Sequence, residues 1–179
     1  MDFVAIDVET ANSDPGSICQ IGIASFRGGV LAETWESLVN PQDHFSPFNI
    51  SVHGIVEESV QDAPAWARVF PQVESRLSNA IVVSHTPFDR AALARACRLS
   101  RLEPCACTWL DSARVARKAW PQFARSGYNL PNLAMHFGIG YHAHDALEDA
   151  RCAGLILLRA TEETGLSPQE WLARLHPPA

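Results

Sequence analysis

The chain has 179 residues, 47% of them hydrophobic, and a formal net charge of −6. That length and apolar content fit one domain with a sizeable core and at most a short tail. The negative balance argues against a protein that grips nucleic acid through a basic exterior.

Residues 2–9, "DFVAIDVE", read as a buried strand that ends in acids. Two more β-like runs follow, "SICQIGIASF" (17–26) and "VLAETWESLV" (30–39). Gly28-Gly29 between them is a two-residue hairpin signal, so an antiparallel meander of three strands is expected. The stretch "NPQDHFSPFNISVHGI" reads as a loop broken by Pro41 and Pro47. Residues 64–78 carry a helical pattern that Pro71 should disturb.

The pattern then alternates. "NAIVVSH" is a short strand before a helix from about Pro87 to Leu99, and "CACTWL" is another before a helix near 111–119. Asn129 and Gly138 bracket a short helix. Asp145 opens the longest helix, which should end near Gly165. Ser167-Pro168-Gln169-Glu170 starts a small terminal helix. Strands first and βα units second imply an α/β fold, a mixed sheet flanked by helices. The domain is expected over 1–165, with a short C-terminal helix and tail over 166–179. There Trp171, Leu172 and Leu175 recur at helical spacing, either to pack on the domain or to dock a partner.

Neither the opening run "FVAI" nor "AGLILL" is long enough for a signal peptide or a membrane span, so no membrane partner is expected. The five cysteines are an odd number, which fits reduced thiols in a cytoplasm better than a disulfide framework.

Three acidic clusters carry the chemistry. Asp7 and Glu9 in "IDVET" share one face of a strand, roughly 7 Å apart at Cα. Their ordinary reading is a solvated strand end. In "SHTPFD", Thr86, Pro87 and Asp89 can serve as N-cap, first-turn proline and capping-box acid. Asp89 also lies in the first turn of a helix that follows a strand, where α/β folds bind ligands. In "HDALEDA", Asp145 is the natural N-cap and Glu148 completes a capping box. His144 and Asp149 then occupy the two positions that meet in a hydrophobic staple. Apolar residues normally fill that pair, so an imidazole beside a carboxylate points to chemistry.

Asp7, Glu9, Asp89 and Asp149 could not share a pocket as bare anions. A pair of hard divalent cations resolves the conflict, offsets most of the net charge, and supports in-line displacement at phosphorus. A neutral His144 beside Asp149 is placed to take a proton from water. Arg90, Arg95, Arg114, Arg117, Lys118 and Arg125 could add phosphate contacts, or could be solvated helix faces.

Together these residues resemble the DEDDh family of 3′–5′ exonucleases, typified by the proofreading epsilon subunit of bacterial DNA polymerase III. "FVAIDVET", "SHTPFDRAAL" and "HDALEDA" are similar to the family's three motifs, in order, and "VHGI", "DAP" and "NLPNLAMHFGI" are similar to other recurring stretches. The resemblance covers about residues 1–160. It implies a ribonuclease H-like fold with a five-stranded mixed sheet. It implies Asp7, Glu9, Asp89 and Asp149 as ligands of two Mg2+ or Mn2+ ions, and His144 as general base. It implies Thr10, His53 and His85 as substrate contacts. The expected substrate is the 3′ end of single-stranded DNA rather than RNA, released as 5′-mononucleotides, and the expected protein partner is a DNA polymerase or a second copy. Thr86-Pro87 departs from the Asn-Ala usual in the second motif, which bears on substrate contact there.

Three other readings stand beside this one. A non-catalytic module on the same fold would have lost a ligand or the histidine, and none is missing. A zinc protein built on Cys105 and Cys107 lacks a second cysteine pair. An exoribonuclease would use the same acids and differ only in sugar contacts.

Overall fold

The computed structural model describes residues 1–175; residues 176–179, the end of the expected tail, lie outside the described residues. The expected meander is present: β1 (Phe3–Thr10), β2 (Ile18–Arg27) and β3 (Val30–Leu38) pair antiparallel, with Gly28 and Gly29 turning at positive φ. Strands β4 (Ile81–Ser84) and β5 (Thr108–Asp111) add in parallel, giving the order β3-β2-β1-β4-β5.

Two cores cover the two faces of this mixed sheet. Odd residues of β1, Phe3 and Ala5, join one core with Ala24, Phe26 and Leu110. Even residues Val4, Ile6 and Val8 join the other with Ile21, Ile23 and Val82. The alternation follows from the pleat, which sends successive side chains to opposite faces. Helices α3 (Trp66–Leu77) and α4 (Phe88–Leu99) cover the second core. Helices α5 (Ser112–Ala119), α6 (Leu130–Phe137), α7 (Ala146–Thr164) and α8 (Pro168–Leu175) cover the first. Two short helices, α1 (Pro47–His53) and α2 (Glu57–Val60), lie between β3 and α3.

Several ends form as expected from local chemistry. The Asn129 side chain accepts from the Asn132 N–H at 2.9 Å, and Gly138 closes α6 in the left-handed region. Gly165 closes α7 in the same way. Ser167 and Glu170 form a reciprocal capping box at the start of α8. Trp171 and Leu175 of α8 are buried in the same core as α7, so this helix packs on the domain.

Two elements differ from expectation. The loop expected around Pro47 contains α1. Ser46 caps it by accepting the Asn49 N–H, Pro47 takes the first helical position, and Gly54 closes it at positive φ. Helix α3 continues through Pro71. Trp66, Val69, Phe70, Val73 and Leu77 bury one face, while Pro71 lies exposed on the other.

Candidate active site

The acids converge because β1 outruns β4. Parallel pairing between them covers Val4 and Ala5 and goes no further along β1. The Val8 N–H therefore lacks a strand partner, and Asp89 Oδ1 accepts it at 3.1 Å. This corrects the capping-box reading of Asp89. Its carboxylate faces β1, while Thr86 Oγ1 accepts the Phe88 N–H at 3.2 Å. Helix α4 thus delivers a nearly fully buried carboxylate to the end of β1, where Asp7 and Glu9 point to the α7 side.

Helix α7 arrives on that side through its N-terminus. Asp145 Oδ1 caps it by accepting the Glu148 N–H at 3.0 Å. Gln20, which faces Glu9 across the β1–β2 ladder, accepts the Ala146 N–H at 3.2 Å. Gly22 faces Asp7, and a Cβ there would overlap the backbone of Ala146 and Leu147. Glu148 does not complete the expected capping box; its carboxylate pairs with Arg151 at 2.7 Å. Asp149 takes the backbone role instead, with Oδ2 accepting the His144 N–H at 2.7 Å. The staple pair therefore meets through main chain as well as side chains. His144 sits at φ 64°, a left-handed turn that holds its exposed ring over the site.

The result is a cleft of about 300 Å³ lined by Asp7, Glu9, Asp89, His144 and Asp149, with Phe88, Leu130, Pro131 and Tyr141 among its walls. One donor atom each from Glu9, His144 and Asp149 lies within 4.8 Å of the others. Among the described residues this is the one His, Cys, Asp or Glu cluster tight enough to hold a metal ion.

The electrostatics match crowded anions. Burial pushes Glu9 up to about 7, with Asp149 and Asp89 adding to it. Burial likewise pushes Asp89 up to about 7 against the pull of its backbone donors, and Asp149 up to about 6. Asp7 rises well above the carboxylate range, first through burial and then through Asp89 and Asp149. Opposing charge brought to such a cluster restores the ionised forms. Four oxygen-bearing side chains with one imidazole suit a hard divalent cation.

The three expected substrate contacts, Thr10, His53 and His85, each hydrogen-bond within the fold. His85 lines the cleft, but Nε2 donates to the Tyr128 carbonyl at 2.6 Å and Nδ1 meets Ser112 Oγ at 2.8 Å. Both ring nitrogens are taken, so His85 ties β4 to the segment before α6. Thr10 is buried, and its carbonyl accepts from Asn49 at 2.8 Å and from His53 Nε2 at 3.1 Å. His53 Nδ1 accepts the Ile55 N–H at 3.0 Å. Thr10 and His53 brace α1 against the end of β1. Burial lowers the His53 pKa, against the hydrogen bond to the Thr10 carbonyl.

The arginines divide similarly. Arg95 pairs with Asp14 at 2.9 Å, and Arg114 donates to the Leu175 carbonyl at 3.0 Å. Arg117 stacks over Tyr128, 5.5 Å from the ring centroid. The cysteines are free thiols. Cys97, Cys105 and Cys107 line a separate cavity with Phe70 and Trp109, and burial raises all three, Cys105 to about 11. Among the described residues these thiols form no metal-holding cluster, which leaves the zinc reading without a site there.

The residues that place α7, Gln20 and Gly22, were not singled out from sequence. A glycine inside an apolar strand was their available signal, since it marks close backbone approach.

The model of the exonuclease family, RNase_T, matches residues 4–157. The chain belongs to the exonuclease family. This agrees with the resemblance to the DEDDh 3′–5′ exonucleases drawn from the sequence. DNA polymerase III subunit epsilon of Treponema pallidum is 27% identical over 154 residues, covering 83% of this chain and 71% of that protein. The PolC-type DNA polymerase III of Caldanaerobacter subterraneus is 29% identical over 166 residues, covering 90% of this chain. The chain spans only 12% of that polymerase's length. Among solved structures, Exonuclease X in complex with 5′ overhanging duplex DNA superposes with a TM-score of 0.77 at 23% identity, over 95% of this chain and 97% of that one. The nuclease domain of 3′hExo, a DEDDh family member bound to rAMP, superposes with a TM-score of 0.76 at 22% identity, covering 91% and 92% of the two chains. The exonuclease fold is thus the ribonuclease H-like one. Among the described residues no helix is long and apolar enough to cross a membrane.

Proposed function

We propose that this exonuclease-family chain hydrolyses phosphodiester bonds at the 3′ ends of single-stranded DNA and releases 5′-mononucleotides. In this reading Asp7, Glu9, Asp89 and Asp149 hold two divalent cations, Mg2+ or Mn2+, and His144 is the general base. The observation that carries it is the meeting of Glu9, His144 and Asp149 donor atoms within 4.8 Å, in a cleft that Asp7 and Asp89 also line.

When bound, the cations supply positive charge to a phosphate in the cleft and lower the pKa of water there. The chain's own residues do the rest. Asp89 is held by the Val8 N–H and Asp149 by the His144 N–H, so two carboxylates are oriented before any ligand arrives. A ring nitrogen of His144 takes the proton of the attacking water and, from its exposed position, passes it to solvent. Phe88, Leu130 and Pro131 offer apolar surface against which a terminal base can pack. Attraction to phosphate is local to the cleft, consistent with the −6 charge.

DNA is preferred because the relatives are DNA polymerase III proteins. Trimming of RNA 3′ ends by the same residues is the second reading, favoured by the fold neighbour bound to rAMP. A polymerase or a second copy is the expected partner, and the cytoplasm the expected compartment, in keeping with five free thiols. The test is product analysis on 3′- and 5′-labelled DNA and RNA strands, with and without Mg2+ or Mn2+. Metal-dependent mononucleotide release from 3′ ends, faster on DNA, supports the proposal. Faster release from RNA favours the second reading, and no metal-dependent release overturns both.

A further inference from the structure

The cleft contains a polar atom with no partner. Tyr141 lines the wall three residues before His144, and its hydroxyl is shut off from solvent without a hydrogen bond. A buried hydroxyl left unpaired is destabilising, because its lost hydration is not replaced. Burial raises its pKa most, and its acidic neighbours Asp149, Cys152 and Asp7 add to the rise. Asp149 Oδ2 is occupied by the His144 N–H, while among the described residues no hydrogen bond reaches Oδ1. The other carboxylates of the cleft, when ionised, can only accept. Carboxylates that ligate metal are themselves normally hydrogen-bonded from behind. Tyr141 brings a buried donor without a partner to the wall of the cleft that these carboxylates line.

We propose that Tyr141 is a positioning residue for the cation site, its hydroxyl donating to the free oxygen of Asp149 when a divalent cation draws that carboxylate inward. The proposal rests on reading the cleft as a cation site. The hydroxyl keeps its proton throughout. Because the bond forms only in the loaded protein, it contributes to cation affinity and not to the stability of the metal-free fold.

The test is Mn2+ binding to the full chain by calorimetry, for the wild type and Tyr141→Phe, with thermal melts of both metal-free proteins. Tyr141→Phe should bind Mn2+ roughly 10–100-fold more weakly, with a metal-free melting temperature equal to or above that of the wild type. Equal Mn2+ affinity in the two proteins overturns this proposal alone. A wild type that binds no divalent cation overturns the cation reading, and this proposal with it. A variant that fails to fold is replaced by 3-fluorotyrosine labelling of the wild type, which has two tyrosines. The fluorine resonance of Tyr141, assigned with Tyr128→Phe, should shift on saturation with Mg2+; a resonance that does not move overturns the proposal.

Discussion

Gly22 and Leu147 approach so closely that a side chain on Gly22 would occupy the Leu147 backbone. Gly22 also lies directly across the β1–β2 ladder from Asp7. The contact therefore sets how near the first turn of α7, and with it Asp149, comes to Asp7. Gly22→Ala should push α7 off the sheet, at a cost of about 1–3 kcal/mol from overpacking. Nuclease activity should fall further than stability does. Denaturant unfolding together with turnover measured well below the melting temperature checks this; wild-type turnover from a folded variant would rule it out.

His144→Asn isolates the imidazole. Asparagine tolerates the positive φ at this position and keeps the N–H that Asp149 accepts. The fold should persist, while kcat falls by about 10²–10⁴ if the ring is the base. Single-turnover rates with saturating Mn2+ decide the matter, and a loss below tenfold would assign His144 another role.

The raised carboxylates predict an inverted pH dependence for the metal-free protein. Glu9 and Asp89 at about 7 and Asp149 at about 6 retain protons in the fold at a pH where the unfolded chain has released them. Their contribution to stability is therefore full below the ordinary carboxylate range and is lost as pH rises through 6 to 7. Metal-free melts should shift downward from pH 5.5 to pH 8, and saturating Mg2+ should flatten that trend. Asp89→Asn, which can still accept from Val8, should also flatten it and abolish activity. A metal-free melting temperature that rises over this range would contradict the assignment.

Trp171 is buried against the core that α7 shares. Trp171→Ala should cost about 3–5 kcal/mol. Equilibrium unfolding measures the loss directly, and a change below 1 kcal/mol would mean that α8 is not integral to the domain.

Much of the fold was legible because its signals are local. Gly28-Gly29, Asn129 with Gly138, Asp145 with Gly165, and Ser167 with Glu170 each act within a few residues, and each forms as the sequence implies. Helix α1 was missed although Ser46-Pro47 is a good start. It has seven residues and none is buried, and it is tied down by Asn49 and His53 reaching Thr10, about forty positions away. Asp89 and Glu148 were both legible as capping acids. In the fold each takes a different partner, Val8 and Arg151.

The sequence by itself determined the order of strands and helices, the ends of most of them, and which acids and histidine to look for in one cleft. These follow from side-chain period and cap chemistry, which are properties of neighbouring residues. Only the tertiary structure decided which way those groups face. Asp89 meets Val8 across 81 positions because β4 stops short of the end of β1. Gln20 meets Ala146 across 126 positions because Gly22 lets α7 settle on β2. The same packing locked His85, Thr10 and His53 into the frame and left the Tyr141 hydroxyl unpaired, since hydrogen-bond partners are assigned by strand length and helix docking rather than by residue type.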